Sequence, residues 1–216
     1  METLVEEAIE QYADRHTSDL SPLLEELLAE TEVKTGKLDW SVGKVQGQFL
    51  KMLVGISGAK TVVELGTLTG FSALIMAEAL PPQGRLITCE ADPFHAEIAR
   101  RYFARSPHGK KIHLAFGDAL TTLSGLKTGS VGGVFIDADK AEYPKYYEES
   151  LRILKPGGWM ALDNVLWDGE VVNPDSEDPE VRAVKRFNEK VRQDNRVDRV
   201  MLTLRDGVYL VRKRGK

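Results

Sequence analysis

One cysteine, Cys89, stands in the whole chain of 216 residues. No intrachain disulfide can form, and a reducing compartment suits the protein. No apolar run approaches the roughly 18 residues that a membrane helix needs. The opening METLVEEAIEQYADRH has no basic segment followed by an apolar one, the pattern of an export signal. These absences set the expectation of a cytoplasmic protein without a membrane partner. Basic residues are not in excess: 29 Lys and Arg face 33 Asp and Glu, for a formal net charge of -4. That balance argues against a chain built to hold nucleic acid. His16, His95, His108 and His113 are the four histidines, and none has the spacing of a metal site or a catalytic triad. Internal repeats and low-complexity tracts are missing too. What is there is an ordinary globular composition, 42% hydrophobic and 29% charged, in a chain long enough for a large core.

Apolar residues at helical spacing mark the first part of the chain. Leu4, Val5, Ala8, Ile9 and Tyr12 form one stripe. Leu23, Leu24, Leu27 and Leu28 form a second, after the Ser21-Pro22 start signal. Phe49, Leu50, Leu53 and Val54, within residues 45–56, form a third. From Thr61 the pattern changes to short β-branched runs. Thr61–Leu65, Arg85–Cys89, Lys111–Phe116, Val131–Ile136 and Trp159–Leu162 read as strands, with helices between them at Phe71–Leu80, Pro93–Arg105 and Tyr143–Leu154. Such alternation predicts right-handed βαβ units and a mostly parallel sheet. The acidic stretch Asp168–Glu180 reads as a loop and Val181–Arg192 as a helix. Two strands, Val197–Leu204 and Val208–Lys213, close the chain. Arg205-Asp206-Gly207 between them carries a hairpin signal, which makes the last strand antiparallel to its neighbour.

Ligands of these sheets bind outside the carboxyl ends of the strands, so the residues just after each strand are the candidates. After the first comes Glu64-Leu65-Gly66-Thr67-Leu68-Thr69-Gly70-Phe71-Ser72. Gly66 and Gly70 permit a tight turn and close approach of a ligand to the backbone. The three-glycine spacing of a dinucleotide fingerprint is missing, and Gly58-Ala59-Lys60-Thr61 lacks the Gly-Lys pair of a phosphate loop. Glu64 would repel a diphosphate and suits a cationic ligand. S-adenosylmethionine (SAM), with an ammonium, a sulfonium and no phosphate, is one. After the second strand, Glu90 stands about 20 residues past the glycine turn, the place of a ribose-diol acceptor. Asp92 reads as the N-cap ahead of Pro93, and Cys89 as core. Gly117-Asp118-Ala119, after the third strand, suits the border of an adenine ring, with Asp118 equally an N-cap. Asp137-Ala138-Asp139-Lys140 and Asp163-Asn164 follow the fourth and fifth strands. If those strands are neighbours, Asp137, Asp163 and Asn164 converge as hard oxygen donors suited to Mg²⁺ or Ca²⁺. The plain alternative is a set of N-caps and loop acids.

Taken together, VVELGTLTGFSA, RLITCEAD, FGDAL, VFIDADKAEYPKYY, LKPGGWMALDNVLWDGEV and DGVYLVRKR, with SVGKVQGQFL ahead of them, resemble a known family. It is the metal-dependent class I SAM O-methyltransferases of the caffeoyl-coenzyme A and catechol type. The resemblance runs from about Trp40 to the end of the chain. The caffeoyl-type branch and its bacterial relatives match more closely than the catechol enzyme, which departs from DADK. The resemblance implies a Rossmann-like α/β fold with a seven-stranded, mostly parallel sheet and an antiparallel last strand. It implies one domain, with extra N-terminal helices over residues 1–58 covering the site of a core over residues 59–216. It implies SAM contacts from Val42, Glu64, Gly66, Thr67, Ser72, Glu90, Ala119, Asp137 and Asp139. The implied metal ligands are Asp137, Asp163 and Asn164, with Asp137 also touching the acceptor. Lys140 matches the family's proposed general base, and Asp168 stands where plant enzymes have an Asn that contacts substrate. Relatives are commonly homodimers.

The chemistry so implied is Mg²⁺-dependent methyl transfer from SAM to a hydroxyl of a catechol or phenol. A free phenol has a pKa of ~10, which a bound divalent cation lowers. Lys140 is placed either to take the phenol proton or to stabilise the phenolate. Trp40 and Trp167 are candidates for stacking on an aromatic acceptor. The six acids of the 168–180 loop disfavour a coenzyme A diphosphate there. Three rivals stand beside this reading. A tRNA hydroxyuridine O-methyltransferase of the same fold would use Arg100, Arg101, Arg105, Lys110 and Lys111 as its basic patch. A nicotinamide oxidoreductase is opposed by the glycine spacing and Glu64. A silent SAM-binding protein is opposed by the intact acid cluster and Lys140.

Overall fold

The structure is a computed structural model and describes residues 4–215. Three helices lead the chain: α1 (Glu7–Arg15), α2 (Pro22–Thr35) and α3 (Gly43–Ser57). The sheet and its crossovers follow as β1 (Thr61–Leu65), α4 (Phe71–Ala79), β2 (Arg85–Glu90), α5 (Pro93–Arg105), β3 (Ile112–Phe116), α6 (Ala119–Ser124) and β4 (Val131–Ile136). The chain continues through α7 (Tyr143–Ile153), β5 (Leu154–Leu162), α8 (Pro179–Gln193), β6 (Val197–Leu202) and β7 (Val208–Lys213). Seven strands form one sheet in the order β3-β2-β1-β4-β5-β7-β6. The first five pair in parallel, and β7 runs antiparallel to both β5 and β6. The strand order reverses between β1 and β4, which opens a crevice at their carboxyl ends.

Helices cover both faces of the sheet. Val62, Val63, Glu64 and Leu65 of β1 are all buried, a continuous run rather than an alternating one, as expected of a central parallel strand. Leu24, Leu27, Leu50 and Val54 from α2 and α3 join α4 and α5 in one apolar core. Leu123, Tyr147, Leu151, Phe187 and Val191 from α6, α7 and α8 form the other. Local signals end the helices where the sequence suggests. Pro22 opens α2 and a left-handed Gly36 closes it. The Asp92 side chain accepts from the Phe94 and His95 amides at the start of α5.

The structure departs from the sequence reading at several points; α3 and α8 each start two residues earlier than read, at Gly43 and Pro179. α6, whose start the N-cap reading of Asp118 marks, has no range in the sequence reading; at six residues with one buried side chain, Leu123, it leaves no periodic trace. β5 starts at Leu154 rather than Trp159, because Lys155-Pro156-Gly157-Gly158 reads as a turn although Val131 already pairs with Leu154. A 3-10 turn, Glu170–Val172, interrupts the 168–180 loop. β6 ends at Leu202, two residues early.

Candidate active site

A single cleft of about 670 Å³ lies over the crevice, within the size range of small-molecule sites. Its floor begins at the turn after β1. Gly66 has a φ of 93°, and a Cβ there would lie 1.8 Å from the Asp137 carbonyl oxygen. The tight turn and the β4 exit therefore depend on a missing side chain. Gly66→Ala should lower Tm by about 6–12 °C, taking ~3 kcal/mol for overpacking plus left-handed strain and ~2–4 °C per kcal/mol for a chain this size. A thermal melt within 2 °C of wild type would contradict this.

Thr67, Ser72 and Val42 line the cleft beside Gly66. Glu64 and Ala119 do not. Glu64 lies beneath the floor, fully buried, where Thr88 donates to its Oε2 at 2.5 Å and the Thr67 hydroxyl bonds Thr88 in turn. Its Oε1 has no hydrogen-bond partner. Burial pushes the Glu64 carboxyl up to about 8, and the charges of Asp137 and Glu90 add to the rise. Its proton is thus held more tightly in the folded state than in the unfolded one. The stability this confers is complete below the unfolded value, near 4.5, and is lost as pH rises toward 8. Glu64→Gln should therefore leave Tm unchanged at pH 4.5 and raise it by at least ~3 °C at pH 8, more than one kcal/mol. Equal shifts at both pH values would contradict this. Ala119 begins α6, directly after the Asp118 cap, which accepts from the Leu120 and Thr121 amides.

Glu90, at the end of β2, is oriented by three backbone donors. The Leu68 amide reaches its Oε2 at 2.8 Å, and the Ala91 and Asp92 amides reach its Oε1 at 2.9 and 2.8 Å. The carboxylate so held faces the cleft beside His95. Asp139 lines the same wall and caps the short turn Lys140–Glu142 through the Ala141 amide.

The acidic cluster forms as the strand ends predict, because β4 and β5 are neighbours. Asp137, Asp163, Asn164 and Lys140 meet at the cleft floor. Lys140 Nζ lies 3.3 Å from Asp137 Oδ1, 2.8 Å from Asn164 Oδ1 and 2.7 Å from the Tyr143 hydroxyl. Burial opposes its charge, but the Tyr143 oxygen and the Asp137 and Asp163 carboxylates outweigh burial and hold its pKa above the ordinary lysine value. Asp163 is buried, with Gln46 Nε2 donating to Oδ2 at 2.8 Å and the Asn164 amide donating to Oδ1 at 2.9 Å. Burial first, and then the Asp137 charge, push its carboxyl up to about 7. Two carboxylates and one amide oxygen are the donor set of a small hard cation.

Trp40, Trp167 and Asp168 stand at the mouth, with Asp39, Glu180 and Arg205. Trp40 is 60% exposed, and Lys37 Nζ lies over its ring at 3.9 Å. Arg205 donates to the Ser41 and Asp39 carbonyls, tying the β6–β7 turn to the segment that carries Trp40. Four contributors escape a reading of the sequence: Gln46, Tyr143, Arg205 and Asp206. Gln46, Tyr143 and Asp206 lie inside the strings that carry the family resemblance, so those strings are the available signal. Three of the five basic residues read as a patch are engaged within the chain, while Arg100 and Lys110 are exposed. Arg101 pairs with Glu30 at 2.6 Å and Arg105 with Glu26 at 2.5 Å, while Lys111 Nζ donates to the Ala77 and Leu80 carbonyls that end α4.

A seven-stranded sheet of this order, with an acidic residue at the end of β2 and a cleft at the switch point, defines the class as the Rossmann-like methyltransferases. The O-methyltransferase family model matches residues 14–214, and the chain belongs to that family. It is 38% identical over 197 residues to a catechol O-methyltransferase of Niastella koreensis, covering 88% of this chain and 89% of that one. It is 35% identical over 204 residues to caffeoyl-CoA O-methyltransferase 2 of Zea mays, covering 87% of this chain and 76% of that one. Among solved structures it resembles the O-methyltransferase from Bacillus cereus in complex with SAH. The TM-score is 0.87 at 33% identity, over 96% of this chain and 97% of that one.

Proposed function

We propose that this O-methyltransferase moves the methyl group of SAM to a hydroxyl of a catechol-like small molecule, with Mg²⁺ or a similar cation held by Asp137, Asp163 and Asn164. The observation that carries this reading is the meeting of those three oxygen donors with Lys140 in the cleft that Glu90 also lines. SAM supplies a methyl group on a sulfonium. Glu90 is oriented to accept a ribose diol, Gly66 and Thr67 let the cofactor approach the backbone, and Val42, Ser72 and Asp139 border it. Glu64, beneath the floor with its carboxyl held mostly protonated at neutral pH by burial, supports the cleft from below through Thr88 and Thr67.

A divalent cation supplies a lowered phenol pKa and fixes which oxygen of a diol faces the methyl group. The donors fit it: hard oxygens only, with Asp163 buried beside the charge of Asp137 so that a cation relieves their repulsion. Lys140 directs its ammonium at three oxygens; its part is to stabilise the acceptor's phenolate. Trp40 and Trp167 flank the aromatic ring, and Asp137 and Asp168 meet its polar edge. Holding donor and acceptor in line contributes ~7–11 kcal/mol in favourable cases.

The acids Asp39, Asp168 and Glu180 at the mouth disfavour an anionic acceptor. Labelled methyl transfer should therefore be at least ~10-fold more efficient in kcat/KM on a free catechol than on the caffeoyl-coenzyme A ester, a cost of ~1.4 kcal/mol. Transfer to tRNA should stay at background, since Arg101 and Arg105 are paired with Glu30 and Glu26 and Lys111 is bound to the end of α4. Label on tRNA alone would replace this reading with the nucleic-acid one. SAM binding without transfer to any acceptor would support a silent binding protein.

A further inference from the structure

The Arg205-Asp206-Gly207 turn does more than reverse the chain. Asp206 is 3% exposed, unusual for a carboxylate in a hairpin turn, and it borders the cleft. One of its oxygens accepts the Asp168 amide at 2.6 Å. Its carboxylate also accepts the side chain of Asn164. A carboxylate only accepts, so Asn164 turns Nδ2 to Asp206 and leaves Oδ1 on Lys140 Nζ at 2.8 Å. The Asp206 carbonyl accepts the Leu166 amide at 2.9 Å. Gly207, with φ at 86°, brings the turn so close that a Cβ there would lie 2.4 Å from Leu166 Cγ. Asn164, Trp167, Asp168 and Arg205 all have φ near 50°. Left-handed backbone at such residues is strained and persists only where the surroundings hold it. All four lie within two residues of Asp206 or of a group it bonds.

We propose that Asp206 is the positioning residue of the acceptor end of this cleft: by holding the Asn164 amide and the Asp168 backbone, it aims Asn164 Oδ1 at the cation cluster and fixes the Trp167–Asp168 wall. This rests on the cation reading above. Outer partners of this kind typically account for 10–100-fold in metal affinity. A turn residue with no such part would matter only to folding.

The test is Mn²⁺ binding to the apoprotein, followed by electron paramagnetic resonance, with SAM affinity by calorimetry and a thermal melt alongside. In Asp206→Asn one acceptor becomes an NH₂ donor, and Mn²⁺ affinity should fall at least tenfold while SAM affinity stays within twofold. In an Asn164→Ala background the same substitution should change Mn²⁺ affinity less than twofold, because the group it aims is gone. Asp206→Ser carries the same expectation should Asp206→Asn not fold, since serine suits turns and is too short to hold Asn164. Unchanged Mn²⁺ affinity in a wild type that binds the ion, or equal losses in both backgrounds, would overturn the role of Asp206 alone. A wild type that binds no Mn²⁺ would overturn the cation reading and this inference with it.

Discussion

Asp163→Ala should lower kcat for methyl transfer to a catechol about 1000-fold and leave SAM affinity within about threefold. A cation that polarises the acceptor contributes several kcal/mol of transition-state stabilisation, and each ~1.4 kcal/mol is tenfold in rate. Asp163 is the most deeply placed donor of the cluster, 4% exposed, with Gln46 reaching it from α3. It lies at the end of β5, away from the β2 exit where Glu90 receives the cofactor, so the loss should fall on turnover. Asp163→Asn, which keeps volume and one acceptor, should fall nearly as far. Steady-state kinetics with calorimetric SAM binding separates the two quantities. A kcat within tenfold of wild type would remove Asp163 from the chemistry. A matching loss of SAM affinity would make it a structural residue.

Lys140→Met should lower kcat by about 10²–10³, the range for removing one charge-stabilising donor from a buried site. Its ammonium is aimed at Asp137, Asn164 and Tyr143, and Tyr143 is anchored in turn by donating to the Asp163 carbonyl at 3.1 Å. Lys140→Arg distinguishes charge from proton transfer. Arginine stays protonated, so an arginine variant that recovers at least ~10-fold over methionine supports phenolate stabilisation. An arginine variant as inactive as methionine would assign Lys140 to proton removal. Full activity in Lys140→Met would end any catalytic part for it.

Much of this site is legible in the sequence because it lies where strands stop. The β-branched runs locate the strand ends, and Asp137, Asp163, Asn164 and Glu90 are the next polar residues along. Their convergence follows from β4 lying beside β5, which the βαβ order favours. Glu64 is the instructive exception. The position just before the glycine turn suggests a residue touching its ligand, but β1 is buried on both faces, so the side chain points under the floor. Gln46 and Asp206, though inside strings that carry the resemblance, show no role in the sequence for a different reason. Each acts through a contact spanning a long stretch of chain: Gln46 meets Asp163 117 residues away, and Asp206 meets Asp168 38 residues away. Glutamine in a helix and aspartate before glycine both have sufficient local explanations. The basic run 100–111 departs from its reading in the opposite sense, at Arg101 and Arg105. It reads as a patch, but the acids that neutralise Arg101 and Arg105 come from α2, some 70 to 80 residues earlier.

The central claim is that a cation at Asp137, Asp163 and Asn164 and a methyl donor over Glu90 serve one reaction in one cleft. The direct measurement is labelled methyl transfer from SAM to a free catechol with Mg²⁺, after chelation, and after Mg²⁺ is restored. The account predicts transfer that chelation abolishes and Mg²⁺ recovers, with SAM binding retained throughout. Transfer that continues undiminished in chelator would contradict it.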